Sequence, residues 1–328
     1  MDHFIVTGGN GFIGRHLVRR LLSERPSSIA IIANTANVDD NYLTDKTLRG
    51  TVPMRFYTVD IRDGKTISNI FRNEKADICI HLAARISVAD SIKKPEETMD
   101  INVKGTLNVL DACHNSGINS FVFASSAAVY GDVKELPISE NQSLRPLSPY
   151  GTSKMLAEQH VLSYKQLKKI KNTISLRIFN VYGSGQASEA DVITRFAKRL
   201  STGQPPVIHG DGMQTRDFIS VDDVVDAIIL STRAMEDVEN KVTVLPSIFN
   251  VGTGTPTSIS ELAQKMIEIF GLDLKPIYED ERKDERGILH SYADVTLAKK
   301  NLHFVPKTGI ERGLREIIEP IILRKNFH

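Results

Sequence analysis

Ser148-Pro149-Tyr150-Gly151-Thr152-Ser153-Lys154 places a tyrosine and a lysine four residues apart. Proline favours the first turn of a helix, and residues i and i+4 of a helix lie one above the other. A free phenol has a pKa of about 10, so Tyr150 by itself is a poor base at neutral pH. An ammonium held beside it stabilises the phenolate, each pKa unit of lowering corresponding to about 1.4 kcal/mol. Such a pair is suited to taking a proton from a hydroxyl. The same spacing recurs on solvated helix faces, so the pair gains meaning only from its surroundings.

The first of those surroundings is Thr7-Gly8-Gly9-Asn10-Gly11-Phe12-Ile13-Gly14. It follows an apolar run, Phe4-Ile5-Val6-Thr7, that reads as a buried parallel strand. It opens a helical pattern from about Phe12 to Glu24. Glycines at 8, 11 and 14 let the backbone turn tightly and approach a pyrophosphate seated on the helix N-terminus. A glycine cluster alone is equally a plain tight turn; the strand-turn-helix setting predicts a dinucleotide site.

The alternation repeats along the chain. Ile29 to Ala33, Arg55 to Val59, Asp77 to His81, Ser120 to Ala124 and Ile174 to Phe179 read as strands. Thr66 to Asn73, Thr98 to Ser116 and Tyr150 to Lys168 read as helices. Strands alternating with helices predict an α/β fold, a doubly wound parallel sheet of Rossmann type. Beyond Gly183, helical segments at Ala190 to Ser201, Asp222 to Met235, Ser258 to Phe270 and Gly309 to Ile318 are separated by Pro- and Gly-containing connectors. Ser247-Ile248-Phe249-Asn250-Val251 reads as a strand that rejoins the first sheet. The expected organisation is a dinucleotide-binding unit over 1–183, with 218–251 returning to it. A smaller α/β substrate lobe takes 184–217 and 252–328, with the site in the cleft.

Composition narrows the class. The 328 residues carry a formal net charge of +1, 41% hydrophobic and 25% charged residues, as in ordinary globular proteins. Without a basic run, a nucleic-acid surface is not expected. No apolar stretch reaches the roughly 20 residues of a membrane span, and the N-terminus enters a strand directly, so a cytoplasmic protein is expected. Cys79 and Cys113, the two cysteines, sit in apolar segments and read as reduced core residues.

Gly-x-x-Gly-x-x-Gly together with Tyr150-x-x-x-Lys154 resembles the extended short-chain dehydrogenase/reductase family. Further matches run along nearly the whole chain. Asp60-Ile61-Arg62 resembles the family's adenine-contacting turn, and His81-Leu82-Ala83-Ala84 the loop under the nicotinamide ribose. Asn102-Val103-Lys104-Gly105-Thr106 is similar to the helix that follows. Leu176 to Gly183 and Gly210 to Phe218 resemble the segments that grip a nucleotide sugar's diphosphate. Within the family's epimerase/dehydratase branch the nearest likeness is to the UDP-hexose 4-epimerases. In Ser125-Ser126-Ala127-Ala128-Val129-Tyr130-Gly131, Ser126 stands where the family places a hydroxyl that holds the substrate for the tyrosine. Dehydratases and decarboxylases of the branch carry an acid where Ala128 stands, and the dehydratases also at or near Ala127. Methyl groups cannot do that acid-base work.

The resemblance therefore implies Ser126, Tyr150 and Lys154 as catalytic residues. It implies NAD binding by Gly8, Gly11, Phe12, Ile13, Gly14, Asn34, Asp60, Ile61, Leu82, Ala83, Ala84, Asn102, Tyr150 and Lys154. Asn180, Arg216, Arg286 and Ser291, with Ser126, are the implied substrate contacts. No metal is implied. Two departures stand out. Ala33-Asn34 replaces the usual carboxylate at the end of the second strand, while the absence of Lys or Arg between Ala33 and Asp45 favours NAD over NADP. Arg282 and Arg286 lack the family's usual spacing before Ser291-Tyr292-Ala293-Asp294, so Arg216 is the more regular phosphate ligand, and Arg282 and Arg286 read equally as phosphate ligands or as solvated charges on a polar loop. The implied activity is NAD-dependent 4-epimerisation of a UDP-hexose, in a homodimer formed by the helices near Thr98 to Ser116 and Tyr150 to Lys168. A small Ser291 extends the implied substrates to the N-acetylhexosamine pair. The alternatives are an NAD(P)H-dependent reductase of a 4-keto nucleotide sugar and a non-catalytic NAD sensor.

Overall fold

The computed structural model describes residues 2–35, 52–186, 191–240, 245–280 and 288–325. Its centre is a seven-stranded parallel sheet. From one edge to the other the strands are Ile248–Val251, Asn172–Ile178, Ser120–Ser126, Ile78–His81, His3–Thr7, Ser28–Ala33 and Met54–Thr58. The expected α/β fold and the returning 248–251 strand are both present. Every residue of Ser28–Ala33 and Asn172–Ile178 is buried; the first carries the continuous apolar run Ile29–Ala33, whereas the second alternates Asn172, Thr173, Ser175 and Arg177 with apolar residues. The edge strand Met54–Thr58 is largely exposed.

Helices cover both faces. On one, Phe12–Glu24 buries Leu17, Val18, Leu21 and Leu22 at helical spacing, against the same core as Val224, Val225 and Ile228 of Val221–Asn240. On the other, Gly64–Glu74, Gly105–Asn115 and Pro149–Gln166 share a core with Ile5, Phe121 and Phe123. The single helix expected over Thr98 to Ser116 is instead three pieces. A short helix Pro95–Met99 runs into a π-helical turn, Asp100–Lys104, before Gly105–Asn115. Such wide turns concentrate at functional sites.

A third core gathers Ile193 and Phe196 of Val192–Ser201, Leu262 and Met266 of Ile259–Phe270, and Leu314 and Ile318 of Ile310–Lys325. It packs beneath a small sheet in which Asn180–Tyr182, Thr215–Ser220, Pro256–Ser258 and His290–Ser291 are paired. Among the described residues no helix is long and apolar enough to cross a membrane.

Candidate active site

Local sequence explains how Tyr150 and Lys154 come to face one cavity. Pro149 opens the helix Pro149–Gln166, and the Ser148 hydroxyl caps it by accepting from the Gly151 N–H at 3.1 Å. Buried Ser91 adds a second anchor, its Oγ accepting from the Tyr150 N–H at 3.1 Å. A Cβ on Gly151 would lie 2.5 Å from the Ala128 carbonyl oxygen, so only glycine lets this first turn rest on the turn that follows Ser126. The helix Pro149–Gln166 and the strand end Ser120–Ser126 are thereby held in contact.

Ser126, Tyr150 and Lys154 all line a cavity of about 610 Å³ that also reaches Gly8, Gly11, Phe12, Ile13 and Gly14. Asn34, Asp60, Ile61, Leu82, Ala83 and Ala84 complete the expected cofactor wall. Gly8 sits at φ +71°, and a Cβ there would lie 2.7 Å from the Ala83 nitrogen; a Cβ on Gly14 would overlap the Gly8 carbonyl oxygen. The cradle is built for backbone approach. The helix N-terminus at Gly11 has no side-chain cap and no acid in its first turn, leaving its N–H groups for an anion. These residues fit a dinucleotide.

The electrostatics correct one expectation. The Lys154 Nζ donates to the Ala124 carbonyl at 2.7 Å, and burial pushes its pKa down to about 7. Burial likewise pushes the Tyr150 phenol up, and only the Ser126 hydroxyl beside it pulls it back toward the phenolate. In the protein alone desolvation is the largest influence on both groups. At the far end, Arg62 pairs with Asp60 at 2.7 Å and holds that carboxyl below its ordinary range.

Not every expected residue reaches the cavity. Asn102 stands behind its wall: its amide accepts from the Arg85 N–H at 2.7 Å and donates to the Arg85 carbonyl and to Ser153 Oγ, each at 2.9 Å. The π-helical turn aims it at backbone, where it clamps the Ala83–Arg85 loop to the helix Pro149–Gln166. Asn180 is exposed while Phe179 and Val181 line the cavity, as the two-residue alternation of extended chain requires. Arg216 and Ser291 lie beyond the described cavity wall but opposite one another, in register between Thr215–Ser220 and His290–Ser291. Arg286 and Arg282 lie outside the described residues.

Arg85 escaped the motif reading, and His81 entered it without a role of its own. Arg85, in the cavity wall, pairs with Glu97 at 2.9 Å. His81 is buried, with Thr7 Oγ 2.6 Å from Nδ1 and Thr106 Oγ 2.9 Å from Nε2. The Thr106 hydroxyl donates to the Asn102 carbonyl at 2.6 Å, so it accepts from Nε2–H, and Nδ1 accepts from Thr7. Burial pushes His81 down to about 3, which keeps it neutral. It thus ties the strand before Gly8 to the strand before Leu82. The signal was present, since a histidine closing an apolar strand needs partners, but the partners lie far away in sequence.

The family model of the NAD-dependent epimerase/dehydratase family matches residues 4–252. The chain belongs to that family. It is 35% identical over 317 residues, 96% of each chain, to a putative UDP-glucose 4-epimerase of Methanocaldococcus jannaschii. Among solved structures of the same fold, a UDP-glucose 4-epimerase of Thermotoga maritima with UDP-glucose gives a TM-score of 0.86 at 32% identity, covering 99% of this chain and 100% of that one. A UDP-N-acetylglucosamine 4-epimerase of Methanobrevibacter ruminantium in complex with UDP-N-acetylmuramic acid gives 0.86 at 30%, covering 98% and 99%. In this epimerase/dehydratase chain the Gly8–Gly14 cradle and the Ser126, Tyr150 and Lys154 group both fall within the matched span.

Proposed function

We propose that this chain is a UDP-hexose 4-epimerase that inverts C4 through a transient 4-keto sugar. The observation that carries this reading is one cavity shared by the dinucleotide cradle and Ser126, Tyr150 and Lys154. NAD held there supplies a hydride acceptor in the first half of the cycle and a donor in the second. Ser126 holds the sugar's 4-hydroxyl, and Tyr150 takes its proton. Lys154 supplies positive charge beside the phenolate form of Tyr150 that takes this proton. The 4-keto sugar turns in the cleft to present its other face for the returning hydride, and Tyr150 returns the proton to the 4-oxygen. Ala127 and Ala128 offer no acid for dehydration, so the proton traffic runs through Tyr150 alone.

Cofactor contacts are assigned to Gly8, Gly11, Phe12, Ile13, Gly14, Asn34, Asp60, Ile61, Leu82, Ala83 and Ala84, with Asn102 acting from behind the wall. Arg216 is the assigned diphosphate ligand; its planar guanidinium suits bidentate pairing. Ser291, paired opposite it, leaves volume for a C2 substituent, so both plain hexoses and N-acetylhexosamines are substrates. Residues 1–183 and 218–251 form the cofactor half and 184–217 and 252–328 the sugar half. We further assign a homodimer through the catalytic helix and its neighbours. Its support is Val88, Ile92 and Leu156, which stand 39%, 49% and 39% exposed. Buried free thiols at Cys79 and Cys113 accord with a cytoplasmic setting.

The test is direct. Denature the purified protein, quantify released NAD, and assay UDP-glucose/UDP-galactose interconversion without added cofactor. About one NAD per chain with turnover is expected. Turnover only with added NADH or NADPH makes the enzyme a ketosugar reductase, and none on any UDP-sugar overturns the assignment.

A further inference from the structure

The strand Ile248–Val251 holds an asparagine among apolar residues, and Asn250 is wholly buried. A buried amide is costly unless its hydrogen bonds are made. Here Oδ1 accepts from the Tyr130 hydroxyl at 2.6 Å, and Nδ2 donates to the Ile138 and Asp294 carbonyls at 2.8 and 3.2 Å. The Asn250 N–H donates to Glu140 Oε1 at 2.8 Å. Both ends of the amide lead toward functional residues.

On the Oδ1 side, Tyr130 accepts from Arg177 at 3.0 Å, and Arg177 is paired with Glu158 at 2.6 Å. Glu158 lies one helical turn beyond Lys154 and accepts from Ser125, the neighbour of Ser126, at 2.7 Å. Glu158 and Arg177 are buried, and every link is satisfied. On the Nδ2 side, the Asp294 N–H donates to Ile138 at 2.8 Å, and the Ala293 N–H donates to Asp217 at 3.1 Å. Asp217 is wholly buried, adjoins Arg216, and also accepts from the Thr253 and Gly254 N–H groups. Ser291, two residues before Ala293, pairs with Arg216.

We propose that Asn250 is a positioning residue at a joint whose Nδ2 side holds the substrate-gripping strands and whose Oδ1 side holds the catalytic strand end. The inference rests on the epimerase reading. An apolar side chain could fill the same volume, but only a planar amide imposes one relative placement on both partners. Asn250 occupies the sheet edge opposite Ser28–Ala33 and Met54–Thr58, so the adenosine end of the cofactor wall is independent of it.

Two substitutions cut opposite sides of the joint. Asn250→Asp keeps an oxygen for Tyr130 but turns the other toward two carbonyl oxygens. It is expected to raise the KM for UDP-glucose, and the Kd for UDP by calorimetry, about tenfold. Its kcat stays within about threefold of the starting enzyme, and its NAD content stays near one per chain. Tyr130→Phe is expected to do the reverse, lowering kcat about tenfold with KM nearly unchanged. Unchanged KM and UDP affinity in Asn250→Asp overturn the proposal, and so does a parallel loss of NAD, which marks general loosening. If Asn250→Asp fails to fold, Tyr130→Phe decides: an unchanged kcat in that variant overturns the proposal. Because UDP binding is read without turnover, an unmoved UDP affinity refutes the joint, whereas an inactive starting enzyme refutes the epimerase reading.

Discussion

The neutral histidine beneath the cofactor cradle gives a quantitative test. His81 titrates near 3 in the folded protein and near 6.5 when unfolded. Its folded pKa is the lower, so unfolding takes up a proton throughout the interval between them. The stability His81 contributes is complete above pH 6.5 and drains away as the pH falls toward 3. At pH 5 the loss is RT ln(1 + 10^1.5), about 2 kcal/mol, against less than about 0.1 at pH 7.5. His81→Phe removes the titration, and an aromatic ring there retains the stack on Phe123, whose centroid lies 5.8 Å from that of His81. The Thr106 hydroxyl keeps the Asn102 carbonyl, but the Thr7 hydroxyl loses its acceptor, at a cost of about 1–3 kcal/mol. The assay is urea unfolding of both proteins at pH 7.5 and pH 5.0 with excess NAD. The unsubstituted protein is expected to be the more stable at pH 7.5, and its advantage to shrink by about 2 kcal/mol at pH 5.0. All other titrations cancel in that difference. A gap that stays constant between the two pH values refutes a buried, neutral His81.

Tyr150→Phe is expected to abolish interconversion while retaining NAD, measured as turnover and as cofactor released per chain; a residual rate above about one hundredth excludes Tyr150 as the acid-base group. Gly14→Ala is expected to leave the purified protein largely without NAD, since the added methyl overlaps the Gly8 carbonyl oxygen, and normal cofactor content would show that the cradle yields. Ser291→Tyr is expected to lose the N-acetylhexosamine pair and keep the plain hexoses. Assaying both pairs in that one variant settles it, because equal loss or no loss contradicts the volume argument.

Much of this protein was legible in its sequence because the signals are local. A strand-turn-helix with glycines at 8, 11 and 14 fixes a cradle through backbone geometry that no distant residue needs to supply. Ser148-Pro149 caps and opens a helix, and the i+4 rule then stacks Tyr150 and Lys154. Apolar runs separated by amphipathic segments dictate parallel strands with crossover helices, including the return of Ile248–Val251 to the sheet. What the sequence did not contain is the balance of long-range terms. That the Tyr150 phenol is pushed up and not down depends on how much water the fold removes from it and from Lys154, a property of packing and not of spacing. The π-helical turn that aims Asn102 at the Arg85 backbone likewise appears only in the folded chain. The ties from His81 to Thr7 and Thr106, and from Asn250 to Tyr130 and Asp294, join residues 25 to 120 positions apart. A buried polar side chain announces in sequence only that it needs partners. Which partners it finds is decided when the tertiary fold closes around it.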